Sequence, residues 1–136
     1  MSAEAAFESA VIARLKADPG VQAVFGDPAR IFASAPRGAA FPFVALGAGE
    51  STRADAQGAR LLDHRLTLQV RTRRMEPAAV KAAIAAVRDA LHLADLTLAG
   101  GAVCVLCLVV YADVVRAGDG RSLTGLVRLN ARLDET

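Results

Sequence analysis

Two cysteines have a spacing that could support redox or metal chemistry. Cys104 and Cys107 form a CxxC pair within the run VCVLCLVV. This β-branched, apolar run predicts a strand, and side chains three positions apart on a regular strand point to opposite faces. Zinc would need two further ligands, and the sequence has neither a second CxxC nor a nearby HxxxH. We therefore predict two buried free thiols and no metal site.

The two histidines are the other candidates for chemistry. Asp63 and His64 are adjacent, but neighbouring residues of a strand point apart, so we expect His64 to be a structural histidine on the inner face. His92 is predicted to cap the end of a helix, where a cation suits the helix dipole. The sequence contains no GxSxG, HExxH or P-loop motif. None of the serines has a base that the sequence places beside it: Ser9, Ser34, Ser51 and Ser122. We predict a protein that is not an enzyme, with no catalytic residue and no cofactor.

The bulk composition narrows the class of protein. The chain has 136 residues, a length that suits a single domain over 1–136. Hydrophobic residues make up 54% but aromatic residues only 4%, and the net charge is +2. This balance argues against a disordered chain and against a dedicated nucleic-acid binder. The longest apolar run, 102–112, is too short to span a bilayer, and the N-terminal residues do not resemble a signal peptide, so we expect a cytoplasmic protein without a membrane partner.

The hydrophobic periodicity predicts two main helices. The first covers 3–17 with Ser2 as N-cap, and 18–20 ends it. The stretch 21–25 is predicted to form a short helical turn. The second helix begins near Pro77, and its apolar stripe repeats at helical spacing as far as Leu91.

The remaining pattern predicts strands. They are expected at 30–34, 41–46, 62–73, 96–98, 103–115 and 123–133, with an exposed loop over 49–60, a turn at 100–101 and a hairpin turn at 118–120. Because several strands follow one another, we predict an α+β fold, a mainly antiparallel sheet with two helices packed on one face. The predicted core is apolar throughout: Phe7, Val11, Leu15, Leu66, Leu68, Val70, Val80, Ile84, Val87, Leu91, Val127 and Leu129.

The strand at 103–115 is apolar on both faces over its first half. Two helices can cover only one side of the sheet, so the second face meets either another subunit or loops that cross it. We favour a subunit interface, formed by the apolar residues Val103, Val105, Leu106, Leu108 and Val110. The charged candidates for function are arginines at 53, 60, 65, 71, 73, 74, 116, 121, 128 and 132.

The order of several segments resembles the tail completion or tail terminator family of long-tailed phages and gene transfer agents. The resemblance runs from the first helix almost to the C-terminus, through RIFASAPRGAAFPFVALGAGESTR, DHRLTLQVRTR, AAVRDALH, LTLAGG and RAGDGRSLTGLVRLNARLDE. The Ala/Arg-rich style is similar to that of gene-transfer-agent members. These segments are signatures of a fold and contain no catalytic motif.

The resemblance implies a structural role. Such proteins form a ring, typically a hexamer, that caps the head-proximal end of the tail tube, ends tube polymerisation and joins the tail to the head. The expected partners are other copies of the chain, the tail tube protein and the head–tail connector or stopper protein. DNA would pass through the lumen without sequence-specific binding. The protein would be assembled in the bacterial cytoplasm and become part of the particle's tail.

Four arginines are expected to contact these partners through exposed loops: Arg53, Arg60, Arg116 and Arg121. Two alternatives stay open at the level of the sequence. The first is a head-completion or stopper ring at the head–tail interface. The second is a small soluble enzyme or ligand-binding module.

Overall fold

The helices and strands follow the sequence patterns, with exceptions at 18–20, 49–60 and 96–98. The computed structural model describes residues 1–116, 118, 120 and 122–136. Three helices, α1 (Ala3–Ala17), α2 (Pro19–Phe25) and α3 (Pro77–Leu91), accompany five strands. The strands are β1 (Ile31–Phe32), β2 (Phe43–Arg53), β3 (Leu61–Arg71), β4 (Val103–Arg116) and β5 (Leu123–Asp134). The α+β prediction is confirmed.

The strands form one mostly antiparallel sheet. Its order is β1-β2-β3-β5-β4, and the pairing of β1 with β2 is the parallel one. Arg53, Leu61, Asp134 and Val103 lie at one end of the four long strands, which we call the Arg53 end. Phe43, Arg71, Thr124 and Val115 are matched at the other, which we call the Arg71 end.

The core lies between the helices and one face of the sheet. Alternate residues of β3 and β5 point into it, and this strict period of two is why each strand is buried on one face only. Every residue of the predicted core is buried. The opposite face, which we call the open face, carries polar residues such as Asp63, Arg65 and Thr67.

The helix boundaries are set by capping. The Ser2 hydroxyl accepts a hydrogen bond from the backbone N–H of Ala5, as the sequence predicts. Asp18 ends α1 and also caps α2, because its carboxylate accepts from the backbone N–H of Val21. Pro19 therefore begins a second helix in the first helical position, where its missing N–H costs nothing. The expected turn at 18–20 is in fact a junction between two helices.

The expected loop over 49–60 is shorter than the composition suggests. Strand β2 continues through its small and polar residues to Arg53 and stays paired with β3 across a bulge between Leu46 and Gly49. Polar residues suit this half of β2 because it is exposed. Only 54–60 forms the connection, closed by a bridge between Ala56 and Ala59.

The expected strand at 96–98 is wrong. These residues belong to no strand, although Leu96 and Leu98 are buried against the core. Their alternation reflects two leucines that cover the core from an irregular segment. A turn follows at Gly100 and Gly101, whose positive φ angles suit glycine.

Candidate functional site

Strand β4 lies at an edge of the sheet and is irregular. Its ladder with β5 shifts register twice, between Cys104 and Leu106 and between Val109 and Tyr111. Each shift is a β-bulge, which turns the following side chains to the other face. The simple alternation predicted from the sequence therefore does not hold along β4.

The exposed side of β4 is apolar. The predicted interface residues Val103, Val105, Leu106 and Val110 are 57%, 56%, 43% and 47% exposed, and Leu108 is half-buried. The exposed surface extends beyond the predicted limit at Val110, through Tyr111 and Val115. The continuing apolar residues of the strand were the available signal. We call these seven residues the β4 strip: Val103, Val105, Leu106, Leu108, Val110, Tyr111 and Val115.

The two cysteines share a face, contrary to the sequence prediction. Cys104 pairs with Leu133 and Cys107 with Ala131, two buried residues on the inner face of β5. The bulge between the cysteines brings both side chains to the inner side. Both are free thiols, Cys107 buried and Cys104 half-buried. Burial, with a smaller effect of neighbouring Cys104, raises the pKa of Cys107 to about 12, which makes it a poor nucleophile and metal ligand.

The outer edge of β4 is closed at its middle by the end of α3. The Leu93 N–H donates to the Cys107 carbonyl at 2.8 Å, and the Val109 N–H donates to Nδ1 of His92 at 3.1 Å. His92 is the C-cap of α3 as predicted, and its ring also accepts this hydrogen bond from the edge of β4. These backbone groups already have hydrogen-bond partners. A neighbouring protein would therefore contact the side chains of the strip rather than add a strand to this edge.

His64 lies in a hydrogen-bonded group that joins α1 to the sheet. It is only 3% exposed, and its Nδ1 lies 2.8 Å from Oγ of Ser51, while its Nε2 lies 3.2 Å from Oε2 of Glu8. The Ser51 hydroxyl also lies 3.1 Å from Glu4 of α1, as donor to that carboxylate. A hydroxyl, an imidazole and a carboxylate in series resemble an activated nucleophile. Here both ends of the group attach to α1, which fits the structural role predicted for His64.

The arginines predicted to contact partners lie at two ends of the sheet. Arg53 and Arg60 flank the β2–β3 connection at the Arg53 end, whereas Arg116 ends β4 at the Arg71 end. Arg121 lies outside the described residues. Arg53 bridges Asp55 and Glu135, and its hydrogen bonds with them raise the pKa of its guanidinium. Arg53 therefore orders the turn that carries Arg60, while its side chain remains 47% exposed.

Another pair of charges lies on the open face. Arg132 donates two hydrogen bonds to the Asp63 carboxylate, at 2.8 and 3.0 Å. These bonds lower the pKa of Asp63. Asp63 thus points away from His64, as the strand geometry predicts.

A cluster at the opposite edge from β4 was missed. On the open face, the Phe41 ring packs against Phe43 at a centroid distance of 5.2 Å, and the Arg73 guanidinium lies 5.3 Å above the Phe41 ring. Phe41 is 37% exposed. Ala39, Ala40 and Arg74 complete the surface, which we call the Phe41 corner. Its signal in the sequence is the Phe-Pro-Phe motif at the start of β2, which by itself does not indicate a surface.

The described part of the chain offers neither a metal site nor a membrane-spanning helix. No group of three or more potential metal ligands is present within it. No helix there is long and apolar enough to cross a membrane.

Comparisons with known proteins identify a matching family and a similar solved structure. The family model described as "Tail completion protein gp17" matches residues 9–134. A chain in a solved structure titled "Virion of native gene transfer agent (GTA) particle" is similar at a TM-score of 0.88 and 28% sequence identity, over 98% of this chain and 98% of that chain. No curated protein matches the chain.

Proposed function

The chain belongs to the Tail completion protein gp17 family and is a structural protein of phage-type tails, and from this premise we propose that it is the tail terminator. In this role a ring of copies, expected to be a hexamer, caps the head-proximal end of the tail tube. The ring ends tube polymerisation and joins the tail to the head. Its partners are the tail tube protein and the head–tail connector, and DNA passes through its lumen. Assembly takes place in the bacterial cytoplasm.

The observation that carries the proposal is the β4 strip. Apolar side chains that cover a long edge strand are a recognised sign of a protein contact. We propose that a neighbouring copy buries the predicted residues Val103, Val105, Leu106, Leu108 and Val110. A protein that acts by building such contacts needs no catalytic site, and we propose that this one acts by binding.

The arginines support contacts with partners on the two sides of the ring. A terminator has to meet two different partners, the tube on one side and the connector on the other. Arg53 and Arg60 lie at one end of the strands, and Arg116 at the other. We propose that these two ends, with Arg121 in the connection after β4, supply charge-assisted hydrogen bonds to the two partners.

Electron microscopy of particles made without this gene tests the proposal. A terminator predicts tails of abnormal and excessive length. Full heads without joined tails would instead indicate a stopper ring, and particles without a defect would favour a soluble enzyme or binding module. Complementation with the wild-type gene is the control.

Point variants test the contribution of the arginines. Arg60→Glu combined with Arg116→Glu should leave the fold intact and reduce the yield of joined particles. Arg53 is left unchanged in this experiment because its replacement by Glu would place three carboxylates around one turn. Arg88→Glu on α3 is the matched control. Normal assembly by the double variant would contradict the proposed contacts.

A further inference from the structure

A closed ring needs two different surfaces on each copy. In a head-to-tail contact, one surface of a subunit meets a second, non-identical surface of the next. The β4 strip supplies the first surface. We infer that the Phe41 corner is the second, so that the Arg71-end half of the strip packs on the Phe41 corner of the next copy. This inference rests on the proposed ring and names the contact that closes it.

The positions of the two surfaces suit such a contact. The β4 strip lies at one edge of the sheet, and the Phe41 corner lies beside β2 near the other edge. Both lie towards the Arg71 end, since Phe43 is matched across the sheet through Arg71 and Thr124 to Val115. Both also use the open face, because Tyr111 and Val115 pair with the outward residues Arg128 and Thr124 of β5. In copies placed side by side, the two surfaces would lie at the same height along the strands.

The chemistry of the two surfaces is complementary. The strip contributes exposed Val110, Tyr111 and Val115, and the corner contributes exposed Phe41 with two alanines. Aromatic and arginine side chains are enriched at the centres of protein interfaces. Packing the strip on the corner would remove apolar surface of both copies from water, which favours association.

The charges on the two surfaces are also opposite. Asp113 lies within the Arg71-end half of β4, and its carboxylate accepts hydrogen bonds from the Tyr111 hydroxyl and the Val114 N–H. It forms no ion pair with any described residue of its own chain. In the corner, Arg73 and Arg74 are exposed and likewise lack an acidic partner among the described residues. We assign Asp113 of one copy to Arg73 and Arg74 of the next.

A mixing experiment by native mass spectrometry tests the assignment. Val110→Asp disables the strip and leaves the corner intact, whereas Phe41→Asp disables the corner and leaves the strip intact. Each variant alone should be monomeric. Mixed in equal amounts, they should form heterodimers with one intact contact and nothing larger. A mixture that stays monomeric, or a Phe41→Asp variant that assembles like the wild type, would overturn the inference.

A charge exchange covers the case in which Phe41→Asp alters the local fold. Arg73→Glu should raise the concentration needed for half-assembly by about tenfold, which corresponds to about 1.4 kcal/mol. Adding Asp113→Arg to the same chain should restore assembly. Lys16→Glu, at an exposed position of α1 that forms no ion pair with a described residue, is the matched control. An unchanged Arg73→Glu variant, or a double variant without recovery, would contradict the pairing.

Two outcomes separate the ring from the contact at the Phe41 corner. If the wild type assembles and the corner variants assemble equally well, the ring stands and the inference about the corner falls. If the wild type is monomeric in solution and forms no ring in particles, the ring itself falls, and the inference falls with it.

Discussion

Strands β4 and β5 are neighbours in the sheet, but their apolar residues lie in different environments. In β5 every second residue from Leu123 to Leu133 is buried. In β4 only Cys107 is buried, and most of the strand is exposed. The difference comes from position, because β5 lies between two strands and under the helices, whereas β4 lies at the edge and is turned by two bulges.

The comparison shows that apolar residues in this chain serve two purposes. On β5 they stabilise the subunit, because the helices cover them. On β4 they form a surface that nothing in the described chain covers fully. Three of the phenylalanines, Phe32, Phe41 and Phe43, cluster instead near the opposite edge of the sheet.

The largest predicted effect concerns the one buried position of β4. Because the pKa of Cys107 is raised from 9.0 to about 12, its thiolate population at neutral pH should be roughly a thousandfold lower than in the unfolded chain. We expect iodoacetamide to label Cys107 much more slowly in the native protein than in the unfolded chain, with half-buried Cys104 reacting first. Peptide mass spectrometry measures both rates. Equal labelling of the two cysteines would show that β4 is not anchored at Cys107.

The second prediction compares leucines on the two strands. Leu129 is fully buried on β5, so Leu129→Ala should lower the free energy of unfolding by about 2–5 kcal/mol. Leu106 is 43% exposed on β4, and Leu106→Ala should cost the isolated subunit less than about 1 kcal/mol. Urea unfolding at a concentration where the protein is monomeric measures both. Similar losses would remove the distinction between core and surface.

The third prediction tests how closely β5 packs under α3. A Cβ added at Gly125 would lie 2.7 Å from Cδ1 of Ile84 and 3.2 Å from Cβ of Val70. Gly125→Ala should therefore destabilise the protein by about 1–3 kcal/mol through overpacking. Gly118→Ala is the control, since no heavy atom of the described residues beyond its chain neighbours lies within 4 Å of its added Cβ. Thermal unfolding of both variants measures the difference, and a neutral Gly125→Ala would contradict the close packing.

The smallest effect is expected on the open face. The pKa of Asp63 is lowered by its hydrogen bonds with Arg132, so the carboxylate stabilises the fold at pH values above its ordinary pKa of 3.8. This contribution is lost as the pH falls through the lower pKa of the folded state. Asp63→Asn should thus be slightly less stable than the wild type at pH 6, and the gap should close once the pH falls below the lowered pKa of Asp63. A gap that persists in acid would exclude this pair as its cause.

Much of the core could be predicted because β3 and β5 alternate strictly. His64 was placed correctly on the inner face for the same reason. The structure of β4 could not be predicted, because a uniformly apolar run shows no signal for a bulge, and the bulge decides the face of Cys104 and Cys107. The extension of β2 to Arg53 was missed because small polar residues are typical of both loops and exposed strands.

The candidate site could likewise be predicted only in part. The exposed strip could be anticipated, since a strand apolar on both faces exceeds what two helices can cover. The Phe41 corner and the group around Ser51 could not, because each joins residues that are distant in the chain and meet only through the order of the strands. Glu8 and His64, for example, are 56 positions apart and meet at 3.2 Å.

The most direct test of the central claim is the sedimentation equilibrium of the wild type beside Leu106→Asp and Ala82→Asp. The two variants add the same charge, one on the β4 strip and one on the exposed surface of α3. The account predicts that the wild type and Ala82→Asp assemble equally and that Leu106→Asp is a folded monomer. Assembly of Leu106→Asp to the same mass as the wild type would contradict the claim that a neighbouring copy buries the β4 strip.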